Sequence, residues 1–256
     1  MALNLLLAHS AQAQLPAVSR KDVHLYLLVG QSNMAGRGRV EDTDRQPNSH
    51  VWMLTKENQW VPATEPLHFD KPEAGVGPGL AFGRVMAEAD TSALIGLIPC
   101  AVGGSAIDSW TLGGYHDQTK SYPYDDALRR AKLALQAGTL YGILWHQGES
   151  DSKLGLAEGY ADKLSGLIAR FRKELKAKRV PVVVGTLGDF YVGHVPQAAI
   201  VNDAIRTVAK REKQVGLVES TGLNDKGDKT HFDASATREL GRRYAEAMLK
   251  LQAKIE

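Results

Sequence analysis

The chain contains five short apolar segments that are rich in Val, Ile and Leu. Segments of this length and composition are typical of strands that are buried on both faces of a parallel sheet. They therefore predict buried strands over Val23–Val29, Ala93–Ile98, Gly142–Trp145, Val180–Gly185 and Val215–Glu219.

Stretches with helical spacing separate these segments. Apolar residues recur in them every three or four positions, with Lys, Arg and Glu between, which indicates helices with one buried face. In the last stretch Leu240, Tyr244 and Met248 form one stripe, and Asp233 precedes it as a candidate N-cap. The predicted helices cover Leu80–Ala89, Tyr124–Ala137, Leu156–Lys178, Gln197–Lys213 and Ala234–Lys254.

The alternation of strands and helices predicts a parallel sheet joined by right-handed crossovers. We therefore expect an α/β fold, a three-layer α/β/α sandwich around a five-stranded parallel sheet. The segment Arg37–Gly79 differs, because it holds five prolines and has little periodicity. We interpret it as an irregular excursion over one end of the sheet. Because no internal repeat or linker divides the chain, residues 22–256 are expected to form one domain.

The N-terminus resembles part of an export signal. Leu3–Ala8 is mostly apolar, and Ala11–Ala13 has the small-residue pattern that precedes signal-peptide cleavage. We expect residues 1–21 to be a leader or the remnant of a signal peptide. The protein is then exported to the periplasm or the extracellular space, with a cytoplasmic location as the alternative. No other stretch is long and apolar enough to span a bilayer, so no membrane partner is expected.

The composition is that of an ordinary globular protein, with 43% hydrophobic and 23% charged residues. The 31 Lys and Arg exceed the 29 Asp and Glu by only two charges, too few to create a phosphate-binding surface. Nucleic acid is therefore not expected as a partner. The single cysteine, Cys100, excludes an internal disulfide. The sequence leaves the oligomeric state open.

A serine follows the first predicted strand directly. Residues Gly30–Met34 read GQSNM, which places Ser32 on the turn where parallel α/β sheets build active sites. Loop serines more often cap helices, so Ser32 alone is weak support for catalysis. A serine hydroxyl is a poor nucleophile without a neighbouring base, so a catalytic Ser32 requires a histidine that can reach it.

His231 is the histidine with the most informative neighbourhood. Asp228 precedes it by three residues, a spacing that can bring a carboxylate to the imidazole Nδ1 and leave Nε2 free to take a serine proton. In isolation such a pair could equally be turn and capping residues before the last helix. Its loop follows the fifth predicted strand, and the loops after parallel strands meet at one edge of the sheet.

Donors for an oxyanion occur in two further loops at that edge. Gly103 and Gly104 follow the second predicted strand, where glycine permits a close approach of the backbone. Gln147 follows the third strand and can offer its side-chain amide, beside the backbone N–H of Ser32. Such donors contribute about 3 kcal/mol each to acyl transfer. A tight turn and a structural hydrogen bond are the simpler interpretations of these residues.

The acids of the third loop admit other chemistries, which we consider weaker. His146, Glu149 and Asp151 lack a complementary His or Cys set at ligand spacing, so no metal site is expected. A glycosidase with paired acids would leave Ser32 and His231 unexplained. Nucleotide binding lacks its glycine spacing and its Gly-Lys-Ser/Thr.

Four motifs together resemble a known family. GQSNM at Gly30–Met34, GGSAIDSW at Gly103–Trp110, WHQGESD at Trp145–Asp151 and DKTHF at Asp228–Phe232 are similar to the conserved blocks of sialate O-acetylesterase-like carbohydrate esterases. This group, carbohydrate esterase family 6 of the SGNH hydrolases, includes acetylxylan esterases. The resemblance implies a flavodoxin-like sandwich and an esterase that removes acetyl groups from sugars without metal or organic cofactor.

The resemblance also implies roles for individual residues. Ser32 would be the nucleophile, His231 the general base and Asp228 its acid, while Glu149 stays open as a second acid. An oxyanion hole would combine Ser32, Gly104 and Gln147. Substrate contacts are expected from Gln31, Asn33 and Trp110, the last forming a sugar-facing wall with Trp52, Trp60 and His68. An acetylated carbohydrate is then the expected partner. A non-catalytic sugar-binding protein, or an esterase for another acyl group, remains the alternative.

Overall fold

The computed structural model of the protein describes residues 15–254, so most of the expected leader lies outside the described residues. Its centre is a seven-stranded sheet in the spatial order β3-β2-β4-β1-β5-β6-β7. Every neighbouring pair is parallel except β2 with β3, which is antiparallel. The strands are β1 (Val23–Gly30), β2 (Val51–Leu54), β3 (Trp60–Pro62), β4 (Leu94–Pro99), β5 (Thr139–His146), β6 (Val182–Gly185) and β7 (Val215–Val218).

Helices cover both faces of this sheet. Two helices pack over one face and share a core with Tyr26 and Leu28 of β1. On the other face, three helices share a second core with Leu25 and Leu27 of β1. The helices are α1 (Ser32–Ala35), α2 (Pro78–Ala89), α3 (Pro123–Ala134), α4 (Tyr160–Glu174), α5 (Asp189–Val192), α6 (Gln197–Arg211) and α7 (Ala234–Gln252), with α2 and α7 on the first face and α3, α4 and α6 on the other.

The predicted three-layer α/β/α fold is confirmed, and all five predicted strands and five predicted helices are present. The alternation of β1 side chains between the two cores explains its apolar sequence, because neither face meets water. Asp233 caps α7 by accepting a hydrogen bond from the Ala236 N–H at 2.7 Å. In residues 15–254, no helix has both the length and the apolar character needed to cross a membrane.

The expected number of strands was wrong. The segment interpreted as an irregular excursion contributes β2 and β3 to the edge of the sheet. These strands are four and three residues long, too short for a periodic signal. β3 ends in Pro62, which an antiparallel edge strand tolerates because one side of its backbone needs no partner. The sheet is therefore mixed and extends beyond the five parallel strands.

The end of β1 makes an unusually close approach to β5. Gly30 has a φ of +134°, and a Cβ built on it would lie 2.1 Å from the carbonyl oxygen of His146. Backbone hydrogen bonds tie this point to both neighbouring strands: Gln31 N–H donates to His146 O at the end of β5, and Val102 N–H, after β4, donates to Gly30 O, both at 2.9 Å. Glycine is required here by its conformation and by its size.

We expect Gly30→Ala to lower the free energy of unfolding by more than about 3 kcal/mol, because strain and a backbone clash act together. Gly155→Ala is the matched control, since Gly155 also has a positive φ of +81° but has open space around its Cβ position. It should cost about 1 kcal/mol, from the conformational term alone. Urea unfolding of both variants measures the difference. Equal losses would show that the contact with His146 does not constrain this position.

Candidate active site

Loops from four strands meet at the carboxyl edge of the sheet, around the short helix α1. Ser32 is the first residue of α1, and only 6% of its surface is exposed. The loops after β4 and β5 begin at the two backbone bonds to Gly30 and Gln31. The loop after β7 brings His231 to the same place. The topology thus assembles residues that are up to 199 positions apart in the chain.

Ser32, His231 and Asp228 form a continuous hydrogen-bonded chain. The Oγ atom of Ser32 lies 3.0 Å from Nε2 of His231. On the other side of the ring, Nδ1 lies 2.8 Å from Oδ2 of Asp228. The second Asp228 oxygen accepts the backbone N–H groups of Thr230 and His231 at 2.9 and 2.8 Å. The carboxylate therefore orients both the ring and the loop that carries it.

The surroundings of this chain set its protonation. Burial lowers the pKa of His231, and the neighbouring carboxylate of Asp228 offsets this only in part. Burial acts to raise the pKa of Asp228, but the hydrogen bonds from His231 and Thr230 outweigh it and hold that pKa well below its usual range. At neutral pH the aspartate is thus charged and the imidazole neutral. A neutral imidazole can accept the proton of Ser32.

Two backbone N–H groups in the turns after β1 and β4 have no acceptor in the described part of the chain. Within residues 15–254, neither the N–H of Ser32 nor that of Gly104 donates a hydrogen bond. Gly104 adopts a φ of +81°, and a Cβ there would lie 2.6 Å from Oε1 of Gln118. A larger residue would therefore be strained at this φ and would have to push the Gln118 side chain aside. These two groups are available to bind an oxyanion.

Gln147 does not present a free amide as the sequence predicted. It is fully buried, and its Nε2 lies near three acceptors: Oδ2 of Asp151 at 2.6 Å, Oε1 of Gln31 at 3.0 Å and Ser105 O at 3.1 Å. Its Oε1 accepts the hydroxyl of Tyr160. An amide nitrogen has two hydrogens, so donation to a bound oxyanion would require one of these bonds to break. In this structure Gln147 bonds to residues of the turns after β1, β4 and β5.

Glu149 does not contact His231. Its Oε1 accepts a hydrogen bond from Nδ2 of Asn33, and within residues 15–254 only Asp228 forms an ion pair with the histidine. Burial raises the pKa of Glu149 to about 7. Of the alternatives that the sequence left open, this structure places Asp228, and not Glu149, in direct contact with the base. Asn33 is itself 2% exposed, and both polar atoms of its side chain bond to protein groups.

The expected aromatic wall is also absent from the site. Trp110 is fully buried, packs edge-on against Trp145 with ring centroids 5.1 Å apart, and donates from Nε1 to Ser105 Oγ at 2.9 Å. It therefore supports the loop after β4 from below instead of facing a substrate. Trp52 and His68 are buried as well, with 8% and 4% exposure. Trp60 belongs to β3 and packs against the core.

An ion pair that the sequence analysis missed holds the loop after β4 from the other side. Arg37 donates to Oδ2 of Asp70 at 2.7 Å, and the same oxygen accepts the N–H of Gly103 at 2.8 Å. Both side chains are almost fully buried. Asp70 lies in the segment that was expected to be irregular, and no motif marks it. Its contribution to the site arises only from the folding of that segment over the sheet.

The chain is similar to known carbohydrate esterases over most of its length. Residues 22–250 match the family described as carbohydrate esterase, sialic acid-specific acetylesterase. A probable carbohydrate esterase of Arabidopsis thaliana is 33% identical over 254 residues, covering 88% of this chain and 90% of that protein. The X-ray structure of the plant protein superposes with a TM-score of 0.79 at 30% identity, covering 90% of this chain and 98% of the other.

More distant structures share the fold. The crystal structure of NanS superposes with a TM-score of 0.76 at 18% identity, covering 93% of this chain and 99% of the other. A carbohydrate acetylesterase from Xanthomonas citri gives a TM-score of 0.68 at 21% identity, over 91% of this chain and 57% of that one.

Histidine titration by NMR tests the electrostatics of this site. We expect the pKa of His231 to lie below the ordinary value of about 6.5, because burial disfavours the imidazolium. Asp228→Asn should lower it further, since the charge that stabilises the imidazolium is lost. Lys226→Ala should raise it, because a neighbouring positive charge is removed. Shifts of the same sign in the two variants would contradict the assignment of His231 and its partners.

Proposed function

Because the chain belongs to the family of carbohydrate esterases described as sialic acid-specific acetylesterases, we propose that it hydrolyses O-acetyl esters of carbohydrates through an acetyl-serine intermediate. One observation carries this proposal: the hydrogen-bonded chain from Ser32 Oγ through His231 to Asp228. A nucleophile, a base and an orienting acid in this arrangement form the catalytic unit of serine hydrolases. Membership of a carbohydrate esterase family supports a sugar ester as the substrate.

Acylation begins when Ser32 Oγ attacks the acetyl carbonyl carbon while His231 Nε2 takes the hydroxyl proton. The carbonyl oxygen becomes an oxyanion, which the N–H groups of Ser32 and Gly104 stabilise. Asp228 holds the tautomer of the ring and stabilises the imidazolium that forms. When the intermediate collapses, the bond to the sugar oxygen breaks. His231 gives its proton to that oxygen, and the sugar leaves with a free hydroxyl.

Deacylation repeats these steps with water. His231 removes a proton from a water molecule, whose oxygen attacks the acetyl carbon of acetyl-Ser32. The second tetrahedral intermediate uses the same two N–H donors. Its collapse breaks the bond to Oγ, His231 returns the proton to Ser32, and acetate is released. The cycle needs one water and no other reactant, and every proton moves through one imidazole.

The substrate is proposed only as a class. Acetylated xylan, acetylated sialic acid and simple sugar acetates all present an acetyl ester on a sugar hydroxyl, which is the group that this chemistry requires. We also propose that the protein is exported, on the basis of the pattern in Leu3–Ala13.

Ser32→Ala should lower kcat for an aryl acetate by at least about 1,000-fold, because the acyl group then has no acceptor. The wild-type enzyme should also form an adduct with a fluorophosphonate at Ser32, detected by peptide mass spectrometry. Ser109→Ala is the control, since this serine is similarly buried and bonds only to the local backbone at Ala106. Full turnover by Ser32→Ala would exclude the mechanism. A wild type with neither turnover nor adduct would favour a non-catalytic sugar-binding protein.

Acetate release narrows the substrate class. We expect the wild type to release acetate from at least one of acetylxylan, acetylated sialic acid and peracetylated monosaccharides, and kcat/KM should rank them. Butyrate and octanoate esters of the same aryl alcohol test the alternative of another acyl group. A preference for the longer acyl chains would contradict the acetyl specificity, whereas Ser32→Ala supplies the background rate for every substrate.

A further inference from the structure

Asn33, the neighbour of Ser32, bonds to the chain on both sides of His231. Its Nδ2 donates to the carbonyl oxygen of Thr230 at 3.0 Å, and its Oδ1 accepts the N–H of Phe232 at 3.1 Å. One side chain therefore grips the two peptide groups that flank the base. Asn33 directly follows the nucleophile on the buried helix α1. Its two hydrogen bonds therefore fix the position of His231 relative to Ser32.

Glu149 fixes the orientation of the Asn33 side-chain amide. Its Oε1 accepts from the same Nδ2 of Asn33 that bonds to Thr230. An amide group is nearly symmetric in shape, so an isolated Asn could flip and exchange its donor and acceptor. A neighbouring carboxyl oxygen that accepts a hydrogen bond favours the orientation in which Oδ1 meets the N–H of Phe232. Tyr191 in turn donates to the backbone oxygen of Glu149 at 2.9 Å and holds that residue in place.

We propose that Asn33 and Glu149 act together as a clamp that positions His231 against Ser32. The inference rests on the proposed function, because it assigns positioning residues to the same reaction. Neither side chain touches the reacting atoms. Glu149 contributes as a hydrogen-bond acceptor through Asn33 and not as a second acid on the imidazole. Asn33 contributes as the link between the turn that carries the nucleophile and the loop that carries the base.

The loop is anchored in the core by Phe232, which is fully buried and packs edge-on against His146 and Phe190. The loop projects between β7 and α7, and Gly227 and Lys229 both adopt positive φ values. Its backbone closes on itself through bonds such as Lys226 N–H to His231 O at 2.9 Å. The ion pair between His231 and Asp228 lies within the same loop, so it orients the ring without tying the loop to Ser32. The bonds to Asn33 supply that connection.

Asn33→Asp tests the clamp with an isosteric change. Aspartate keeps an acceptor for the N–H of Phe232 but loses the donor to Thr230 O and places a second carboxyl beside Glu149. We expect kcat to fall roughly 10- to 100-fold with little change in KM, because a displacement of about 1 Å in a reacting group can cost that much. Turnover of an aryl acetate and the rate of Ser32 labelling by a fluorophosphonate measure the loss.

Asn202→Asp is the matched control. Asn202 is also buried, with 5% exposure, and it also grips a backbone segment with both ends of its amide, donating to Leu187 O at 3.1 Å and accepting from Leu187 N–H at 2.7 Å. It makes no contact with the nucleophile or the base. The two variants should lose similar stability on heating, but only Asn33→Asp should lose kcat. Equal losses of kcat would reduce Asn33 to a structural residue and overturn the proposal.

Two substitutions of Glu149 show whether its side chain acts as a hydrogen-bond acceptor or through its negative charge. Glu149→Ala removes the acceptor for Asn33 and should lower kcat roughly 10-fold. Glu149→Gln removes the charge but keeps an oxygen that can accept from Asn33, so it should recover most of that loss. If Glu149→Gln is as impaired as Glu149→Ala, the charge matters and the clamp is wrong. These variants also test the proposal if Asn33→Asp does not fold.

Amide hydrogen exchange provides a readout that does not depend on activity. Exchange of the backbone N–H groups of residues 230–232 should be faster in Asn33→Asp than in the wild type, and unchanged in Asn202→Asp. If Ser32→Ala retained turnover, the proposed function would fail, but this exchange would still show whether the clamp holds the loop. Unchanged exchange together with unchanged kcat would refute the clamp while leaving the esterase mechanism intact.

Discussion

The contact between Gly30 and the carbonyl group of His146 is the constraint on which the site depends. It brings the end of β1 so close to β5 that any side chain would collide with the backbone. Gly30 and Gln31 then bond to Val102 after β4 and to His146 at the end of β5. The positions of Ser32, the loop after β4 and the loop after β5 are therefore set by backbone geometry in the middle of the sheet. Side chains at the surface therefore have only a small effect on the positions of these loops.

A buried layer of hydrogen-bonded polar groups, formed by Gln31, Gln147 and Asp151, also fixes the loops of the site. Gln147 joins Gln31 to Asp151, and Asp151 also accepts the N–H of Ile107 at 2.9 Å. In a medium of low polarity, leaving such groups unpaired costs about 1–3 kcal/mol each. Alternative arrangements of these loops would break several bonds at once. The layer thus favours one arrangement, in which the N–H groups of Ser32 and Gly104 remain without partners.

Much of this arrangement was predictable, because it follows from local patterns and one topological rule. Apolar strands mark the sheet, and the rule that parallel strands share a carboxyl edge brings Ser32 and His231 together. Asp228 is predictable from its spacing to His231 within one loop. The partner of Glu149 is different, since Asn33 lies 116 positions away and its contacts depend on side-chain direction. Trp110 was misplaced for a related reason: a loop aromatic can face either a ligand or the core, and periodicity does not distinguish them.

The ion pair of the base is more exposed to water than the residues that position it. The side chains of His231 and Asp228 are 23% and 38% exposed, which fits the access that the proposed sugar ester would need. Ion pairs this exposed typically contribute only about 0–1 kcal/mol, too little to hold a loop in one position. The side chain of Asn33 is buried, and breaking its hydrogen bonds would leave its polar atoms unpaired. An open site can therefore keep a well-positioned base only if the anchoring residues lie below the surface, and Asn33 and Glu149 occupy that level.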